Sequence, residues 1–125
     1  MVNIDNEVIG NYSRKDYIKH AIKEEKCLVV KENNFIVGFL IFHTNFFEHA
    51  FISLLIVSPK ERRKGHATSL IQYFISILPT YKIFSSTNQS NIRMQKVFSA
   101  NGFIRSGIIE NLDDGDPEII YFITK

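Results

Sequence analysis

Residues 50–58, with the sequence AFISLLIVS, form a continuous apolar run that ends at Pro59. A run of this length without alternation predicts a strand buried on both faces, and therefore a strand in the middle of a sheet. The basic segment KERRK follows at once, and a helical pattern of apolar residues begins at Lys64 or Gly65. This succession of buried strand, basic loop and helix restricts the chain to folds that pack helices on a sheet.

The rest of the sequence predicts two more helices and five more strands. In chain order the elements are a helix at 15–25, strands at 27–32 and 35–44, a loop at 45–49, the strand at 50–58, the helix from 64 or 65 to Pro79, a strand at 81–87, a helix within 88–102, and strands at 103–111 and 117–125. Asn33 and Asn34 indicate a hairpin turn, and Gly102 a helix C-terminal cap. The order predicts an α/β or α+β sandwich around one mixed sheet, in a single domain over residues 1–125.

Composition excludes several classes of protein. The net charge of +2 is too small to indicate a nucleic-acid partner, and a small nucleic-acid-binding protein using KERRK would need a wider basic face. Cys27 is the sole cysteine, so no intramolecular disulfide can form, which fits a reducing compartment. The N-terminus does not have the pattern of a signal peptide, and no apolar run approaches the ~18 residues needed to cross a membrane. We therefore expect a cytoplasmic protein with neither nucleic-acid nor membrane partners.

The junction after the apolar run has the properties of an anion site. The first turn of a helix leaves backbone N–H groups without partners, and the helix dipole adds partial positive charge there. Gly65 would let a phosphate approach the backbone, Thr68 adds a hydroxyl, and Arg62 to Lys64 supply charge. A diphosphate is the ligand this pattern predicts. The alternative is a solvated basic loop that only caps the helix.

Two segments resemble the GCN5-related N-acetyltransferases. VSPKERRKGHATSLI is similar to the family's acetyl-coenzyme A signature, R/Q-x-x-G-x-G/A, with Arg62, Gly65 and Ala67 in register. NIRMQKVFSANGF resembles its next motif, with Asn91 at the start and Gly102 and Phe103 at the end. Both lie in the expected order, and the resemblance extends over residues 12–123.

The resemblance implies a mostly antiparallel sheet whose central strands splay apart to hold acetyl-CoA as co-substrate. The splay would fall between 51–58 and 81–87, and acetyl would pass directly to a primary amine of a small molecule or peptide. The cofactor-binding residues it implies are Ile56, Val57, Arg62, Arg63, Lys64, Gly65, His66, Ala67, Thr68, Asn91 and Phe98. It names no acceptor, and a second subunit, as in a homodimer, could complete the acceptor side. The spacing of the histidines predicts no metal site.

Two positions depart from the family pattern. Ser53 lies nearest the position where many family members carry a glutamate that acts as the base. Phe98 occupies the position where many carry a tyrosine that acts as the acid. Phe98 would then pack along the pantetheine arm, or be a plain core aromatic. Because both groups are missing, a catalytically weak or inactive acyl-CoA-binding or sensor domain is the alternative to an enzyme.

Few residues could replace the missing acid and base. Glu48 and His49 precede the central strand, at the expected cleft mouth, and either is a candidate base unless the two form an exposed loop pair. Tyr121 on the last strand is a candidate acid, or a core tyrosine. The acidic turn at 110–118 could attract a cationic amine, or be a solvated hairpin turn.

Overall fold

The structure is a computed structural model that describes residues 3–5, 11–62, 64–78 and 82–124. The helices are α1 (Lys15–Lys23), α2 (His66–Ile77) and α3 (Ile92–Ala100), and a single 3-10 turn spans Pro59–Glu61. The strands are β1 (Cys27–Glu32), β2 (Phe35–Phe46), β3 (His49–Val57), β4 (Lys82–Asn88), β5 (Ile104–Ile109) and β6 (Glu118–Thr124). Arg63, Pro79 and Tyr81, which carried a cofactor-site prediction, a predicted helix end and a predicted strand start, lie outside the described residues.

The six strands form one sheet in the order β1-β2-β3-β4-β6-β5. Every neighbouring pair is antiparallel except β3 with β4, which is parallel. This mixed, mostly antiparallel sheet confirms the predicted fold class. The β1–β2 hairpin turns at Asn33 and Asn34, which both have positive φ, as the sequence predicted.

Alternate residues of β2 contribute to two cores on opposite faces of the sheet. Leu40 and Phe42 pack in a cluster with α2 and α3, whereas Phe39 and Ile41 pack with Ile18 of α1. We name these sides the α2–α3 face and the α1 face. β2 is therefore the strand buried continuously on both faces, over residues 37–42. We expected this of β3, which is only half-buried over residues 53–56 because β4 leaves it halfway along.

The two central strands separate at a β-bulge. Ile52 and Leu54 oppose consecutive residues of β2, so Ser53 is an extra residue in β3. Pairing with β4 ends at the same point, since the last pair is Ile52 with Ser85. A bulge interrupts regular pairing and re-aims side chains. The splay predicted between these strands is confirmed, and it leaves residues 53–57 without a partner on the β4 side.

Two serine hydroxyls satisfy the backbone where the strands separate. Ser85 Oγ is buried and donates to the Ile52 carbonyl at 2.8 Å, at the last pair of β3 with β4. Ser53 Oγ donates to the Ile41 carbonyl at 3.2 Å, beside the register shift. Because buried carbonyls need partners, these bonds make the separation a stable part of the fold.

The predicted loop between the second and third strands differs from the structure. The loop expected at 45–49 is wrong, because β2 continues to Phe46 and the turn is only Phe47 and Glu48. Phe46 prolongs the strand by packing its ring against Phe51 and Phe84, at centroid distances of 4.7 and 5.2 Å.

Among the described residues, no helix has both the length and the apolar character that crossing a membrane requires.

Candidate functional site

A cavity of about 830 Å³ lies between the end of β3, the start of α2 and one side of α3. Its lining residues are Val57, Pro59, Glu61, Arg62, Gly65, His66, Ala67, Thr68, Arg93, Lys96, Val97 and Ala100. Six of the predicted cofactor residues are among them: Val57, Arg62, Gly65, His66, Ala67 and Thr68. The structure therefore brings most of the predicted site together around one opening.

Gly65 makes the start of α2 accessible from the cavity. It is the N-cap residue, with φ of +80°, and α2 begins at His66. We expected the helix to begin at Lys64 or Gly65, so it starts one or two residues later than predicted. An L-residue rarely adopts this φ, so the backbone conformation selects glycine here. No side chain caps this helix end, which leaves its first N–H groups directed at the opening.

Three basic side chains border the cavity, Arg62 from the loop after β3 and Arg93 and Lys96 from α3. Arg62 Nε donates to the Val57 carbonyl at 3.3 Å, which holds the arginine across the end of β3. Burial and, after it, repulsion from Arg62 lower the pKa of Arg93. Within the described part of the chain, Arg93 and Lys96 form no hydrogen bond or ion pair. Unpaired cations that converge at bare helix N–H groups form a site for an anion.

Lys64 does not contribute to this positive charge. Its Nζ lies 2.5 Å from Glu61 Oε2 and 3.2 Å from Glu32 Oε1, and Lys64 is not part of the cavity lining. The hydrogen bond that Lys64 donates to Glu61 raises the pKa of Lys64, and the one that it donates to Glu32 lowers the pKa of Glu32. His66 Nε2 lies 3.2 Å from Glu32 Oε2. Glu32, Glu61 and His66 group closely enough to hold a metal ion, but the Lys64 ammonium already bridges the two carboxylates.

Asn101 connects the two helices that flank the cavity. It is 8% exposed, and its Nδ2 donates to Thr68 Oγ1 at 3.2 Å and to the Val97 carbonyl at 2.9 Å. Its Oδ1 accepts from Gln72 Nε2 at 3.0 Å. These bonds fix the first turn of α2 against the last turn of α3 and so set the width of the cavity.

Besides Lys64, three predicted cofactor residues do not line the cavity. Asn91 is the N-cap of α3 and accepts a hydrogen bond from the Met94 amide at 3.1 Å. Phe98 is 1% exposed and packs in the core against Phe103 and Tyr121. Ile56 lies on the splayed part of β3, with its side chain in the α1-face cluster.

Glu48 and His49 are not at the mouth of the cleft, so that predicted location is wrong. Glu48 lies in the β2–β3 turn, and His49 is the first residue of β3, at the end of that strand where it is still close to β4. The His49 ring contacts Phe84 at a centroid distance of 5.8 Å. From His49 to Val57 a strand extends roughly 26 Å at ~3.3 Å per residue, so both side chains are remote from the cavity.

Tyr121 is in the core and lines a different cavity. Its ring packs against Phe98 at 5.1 Å, and 3% of the residue is exposed. The second cavity, of about 580 Å³, lies between α3 and β5. The structure therefore does not bring Tyr121 to the opening bordered by Arg62 and Arg93.

The α1 face of the splay carries two hydroxyl-centred pairs, one on each diverging strand. On β3, Ser53 Oγ lies 2.6 Å from the Tyr17 hydroxyl of α1. On β4, Ser86 Oγ donates to Glu118 Oε2 at 2.7 Å. Ser86 directly follows Ser85, the last residue paired with β3, so both pairs lie where the strands separate.

The acidic turn is largely engaged in its own structure. Asp113 Oδ2 accepts from Asn88 at 2.9 Å, and Asp116 accepts from the amide and hydroxyl of Ser90 at 3.0 and 2.6 Å. These bonds attach the turn to the end of β4. Of the five acids in this segment, Glu118 is the one whose carboxylate reaches the separation of the strands.

Sequence reasoning missed Arg93, Lys96 and Asn101. Arg93, Lys96, Val97 and Ala100 occur at i, i+3, i+4 and i+7, so they form one stripe along α3. That stripe could have been found, because it is distinct from the buried positions Met94 and Phe98. No sequence signal identifies Asn101, since its three partners come together only when α2 and α3 pack.

This combination of fold and site corresponds to a known family. Residues 4–103 match the family model for the GNAT acetyltransferases. A crystal structure of a GNAT-family acetyltransferase from Bacillus cereus ATCC 10987 is 63% identical, with a TM-score of 0.96, and the match covers 100% of this chain and 88% of that one. The chain belongs to the GNAT acetyltransferase family. No curated protein sequence is significantly similar to it.

More distant solved structures share the fold. The ribosomal-protein-S18-alanine N-acetyltransferase from Escherichia coli is 18% identical with a TM-score of 0.82, over 98% of this chain and 84% of that one. A candidate streptothricin acetyltransferase from Bacillus anthracis, solved in complex with acetyl coenzyme A, is 20% identical with a TM-score of 0.71. That match covers 79% of this chain and 61% of the other.

Proposed function

We propose that this protein transfers an acetyl group from acetyl-CoA directly to a primary amine of a small molecule or peptide. The observation that carries the proposal is the cavity itself. Arg62 and Arg93 converge there on uncapped helix N–H groups, next to the unpaired half of the central strand. A nucleotide diphosphate with a long amide-bearing arm is complementary to both features.

The residues at the cavity fit coenzyme A in two places. The diphosphate would accept hydrogen bonds from the backbone of residues 65–68, with Arg62 and Arg93 as counter-charges. The pantetheine arm would pair with the free backbone edge of β3 at Ile56 and Val57, as an added strand does at a sheet edge. Residues 53–57 have no strand partner on the β4 side; the Val57 carbonyl accepts from Arg62 at 3.3 Å, so the arm would pair with the remaining backbone groups of this edge.

The reaction needs the amine in its neutral form. An alkylamine has a pKa near 10.4 and is mostly protonated at neutral pH, so a base must accept a proton before the nitrogen can attack. The thiolate of coenzyme A is a good leaving group, and transfer can therefore proceed without the tyrosine acid that Phe98 replaces. Relatives with this fold act on unlike acceptors by name, a ribosomal-protein alanine and streptothricin, which is why we propose the amine class alone.

Calorimetric titration with acetyl-CoA, followed by a screen of primary amines for release of free coenzyme A, tests the proposal. We expect saturable binding and amine-dependent thiol release. Absence of binding at millimolar acetyl-CoA would contradict the whole proposal. Binding without transfer to any amine would support the acyl-CoA sensor instead. With one free cysteine and this cofactor, we expect the reaction to take place in the cytoplasm.

A further inference from the structure

We propose that Glu118 is the base that accepts the proton of the acceptor amine, and that Ser86 positions it. This inference rests on the proposed function. Neither residue occupies the place on β3 where the family commonly carries its glutamate, which is Ser53 in this chain. Ser53 is neutral, and its only side-chain neighbour among the described hydrogen bonds is the Tyr17 hydroxyl.

Glu118 is on the strand next to the separating pair. It is the first residue of β6 and lies opposite Asn88, the last residue of β4. Its carboxylate crosses back along β4 and accepts the Ser86 hydroxyl at 2.7 Å. Ser86 is one residue beyond the last β3–β4 pair, so the carboxylate reaches the point where the strands separate.

The orientation of these side chains separates Glu118 from the cavity on the α2–α3 face. Ser85 is buried with its hydroxyl on Ile52, opposite the core residue Tyr121. Successive residues of a strand point to opposite faces, so Ser86 and Glu118 are on the α1 face. The proposed diphosphate site is on the α2–α3 face. A thioester carried through the gap between the strands would therefore meet an acceptor that approaches from the side of Glu118.

The remaining acids of the described chain near this point are engaged or distant. Asp113 and Asp116 hold the turn onto β4, and Glu48 is at the opposite end of β3. Glu118 is half-buried and keeps its second carboxylate oxygen free of any hydrogen bond within the described residues. A carboxylate with one oxygen fixed and the other free is suited to accept a proton from a bound ammonium group.

The step balances with the substrates alone. The ammonium nitrogen gives one proton to Glu118, and its freed electron pair forms the C–N bond at the thioester carbonyl. The C–S bond breaks and its electron pair leaves on the coenzyme A sulfur. The nitrogen then loses its second proton to that thiolate, which gives the neutral amide and free thiol, and Glu118 releases its proton to water.

Two acceptors distinguish the base from a structural role. An alkylamine such as phenethylamine needs deprotonation at neutral pH, whereas methoxyamine is already neutral there. We expect Glu118→Gln to lower kcat/KM about a hundredfold for the alkylamine and little for methoxyamine. The variant's alkylamine rate should rise with pH toward the amine's pKa, while the wild-type rate stays flat. Glutamine still accepts the Ser86 hydrogen bond, so the fold is retained.

Positioning by Ser86 is tested in the same assay. Ser86→Ala should lower the alkylamine kcat/KM about tenfold and leave the wild-type pH profile in place, because the carboxylate is still present. Asp114→Asn, an exposed acid of the same turn, is the matched control and should change neither acceptor. Acetyl-CoA binding by calorimetry should be equal in all these proteins.

A measurement without turnover completes the test. In protein labelled with ¹³C at glutamate carboxyls and saturated with unacetylated coenzyme A, phenethylamine should shift the Glu118 signal, assigned by its loss in Glu118→Gln. Equal losses for both amines, an unchanged pH profile or an unmoved Glu118 signal would overturn the inference while leaving the proposed function standing. A wild-type protein that fails to bind acetyl-CoA or to acetylate any amine would overturn both.

Discussion

The two halves of β3 have opposite roles although they belong to one continuous apolar run. From Ala50 to Ile52 the strand is paired with β4, the last two of these residues are paired with β2 as well, and Ala50 and Ile52 join the core with α2. From residue 53 to residue 57 it keeps β2 on one edge, loses β4 on the other, and ends at the basic cavity. The difference shows that the destabilising feature of an open site, which is backbone without a strand partner in the middle of a sheet, affects only five residues. These five residues follow directly on a paired and well-packed segment.

Truncation of one apolar residue in each half should give the largest contrast. Ile52→Ala in the closed half should lower the free energy of unfolding by about 3 kcal/mol, because it creates a cavity where the side chain is 2% exposed. Leu54→Ala in the open half should cost about 1 kcal/mol, because that side chain is only half-buried. Urea unfolding of both variants measures the difference, and equal losses would contradict the distinction between the halves.

Removal of the Ser85 hydroxyl should weaken the point where the halves meet. Ser85→Ala leaves the Ile52 carbonyl buried without its donor, which should cost about 2 kcal/mol of stability. Ser69→Ala, at an exposed position of α2, serves as the control for serine removal and should change stability by less than about 0.5 kcal/mol. A Ser85→Ala protein as stable as wild type would show that the separation is fixed by other contacts.

Neutralising the cations of the open end should affect ligand affinity rather than stability. Arg62→Ala and Arg93→Ala should each raise the Kd for acetyl-CoA about tenfold, the effect of losing one charge-assisted hydrogen bond to a phosphate. Lys60→Ala is the control, because Lys60 belongs to the same loop but does not line the cavity. Calorimetry gives the three values, and an equal change for Lys60 would indicate a general charge effect.

The smallest expected effect concerns Glu32 at the edge of the open end. The hydrogen bond from Lys64 lowers the pKa of Glu32 in the folded protein. The stabilisation of the folded protein by ionised Glu32 is therefore complete above its unfolded-state pKa of about 4.3. It is lost as pH falls through the lower pKa that Glu32 has in the folded state. Glu32→Gln should flatten the acid side of a plot of melting temperature against pH. The exposed Glu110→Gln should reproduce the wild-type curve, and the prediction fails if Glu32→Gln does so too.

Local patterns were sufficient to predict most of the elements. The residues of β1 and the Asn33–Asn34 turn follow from β propensity and turn chemistry, which act over neighbouring residues. The two family motifs identified the splayed sheet and the start of α2. The end of β2 was not predictable in this way, since Phe46 extends the strand through ring contacts with residues from other strands.

The lining of the cavity was predicted where it is contiguous in sequence and missed where it is assembled by packing. Arg62, Gly65 and Thr68 come from one loop and helix start, whereas Arg93 reaches the same cavity from a helix that follows another strand. Glu48 and His49 were predicted at the mouth of the cleft because they precede the central strand. Their position in the sequence does not show at which end of β3 the neighbouring strand separates from it. That depends on the pairing of β3 with β4, which is a long-range property.

The extra residue in β3 reverses which side chains point to which face along the strand. Ala50 and Ile52 point to the α2–α3 face, but after Ser53 it is the odd-numbered Leu55 that packs there, while Leu54 and Ile56 pack on the α1 face. A chain shortened by that one serine would keep Leu54 to Val57 on their present faces and opposite their present β2 partners, but it would lose the bulge at which β3 and β4 separate. We therefore expect deletion of Ser53 to affect the opening between β3 and β4 more than the packing of residues 54–57.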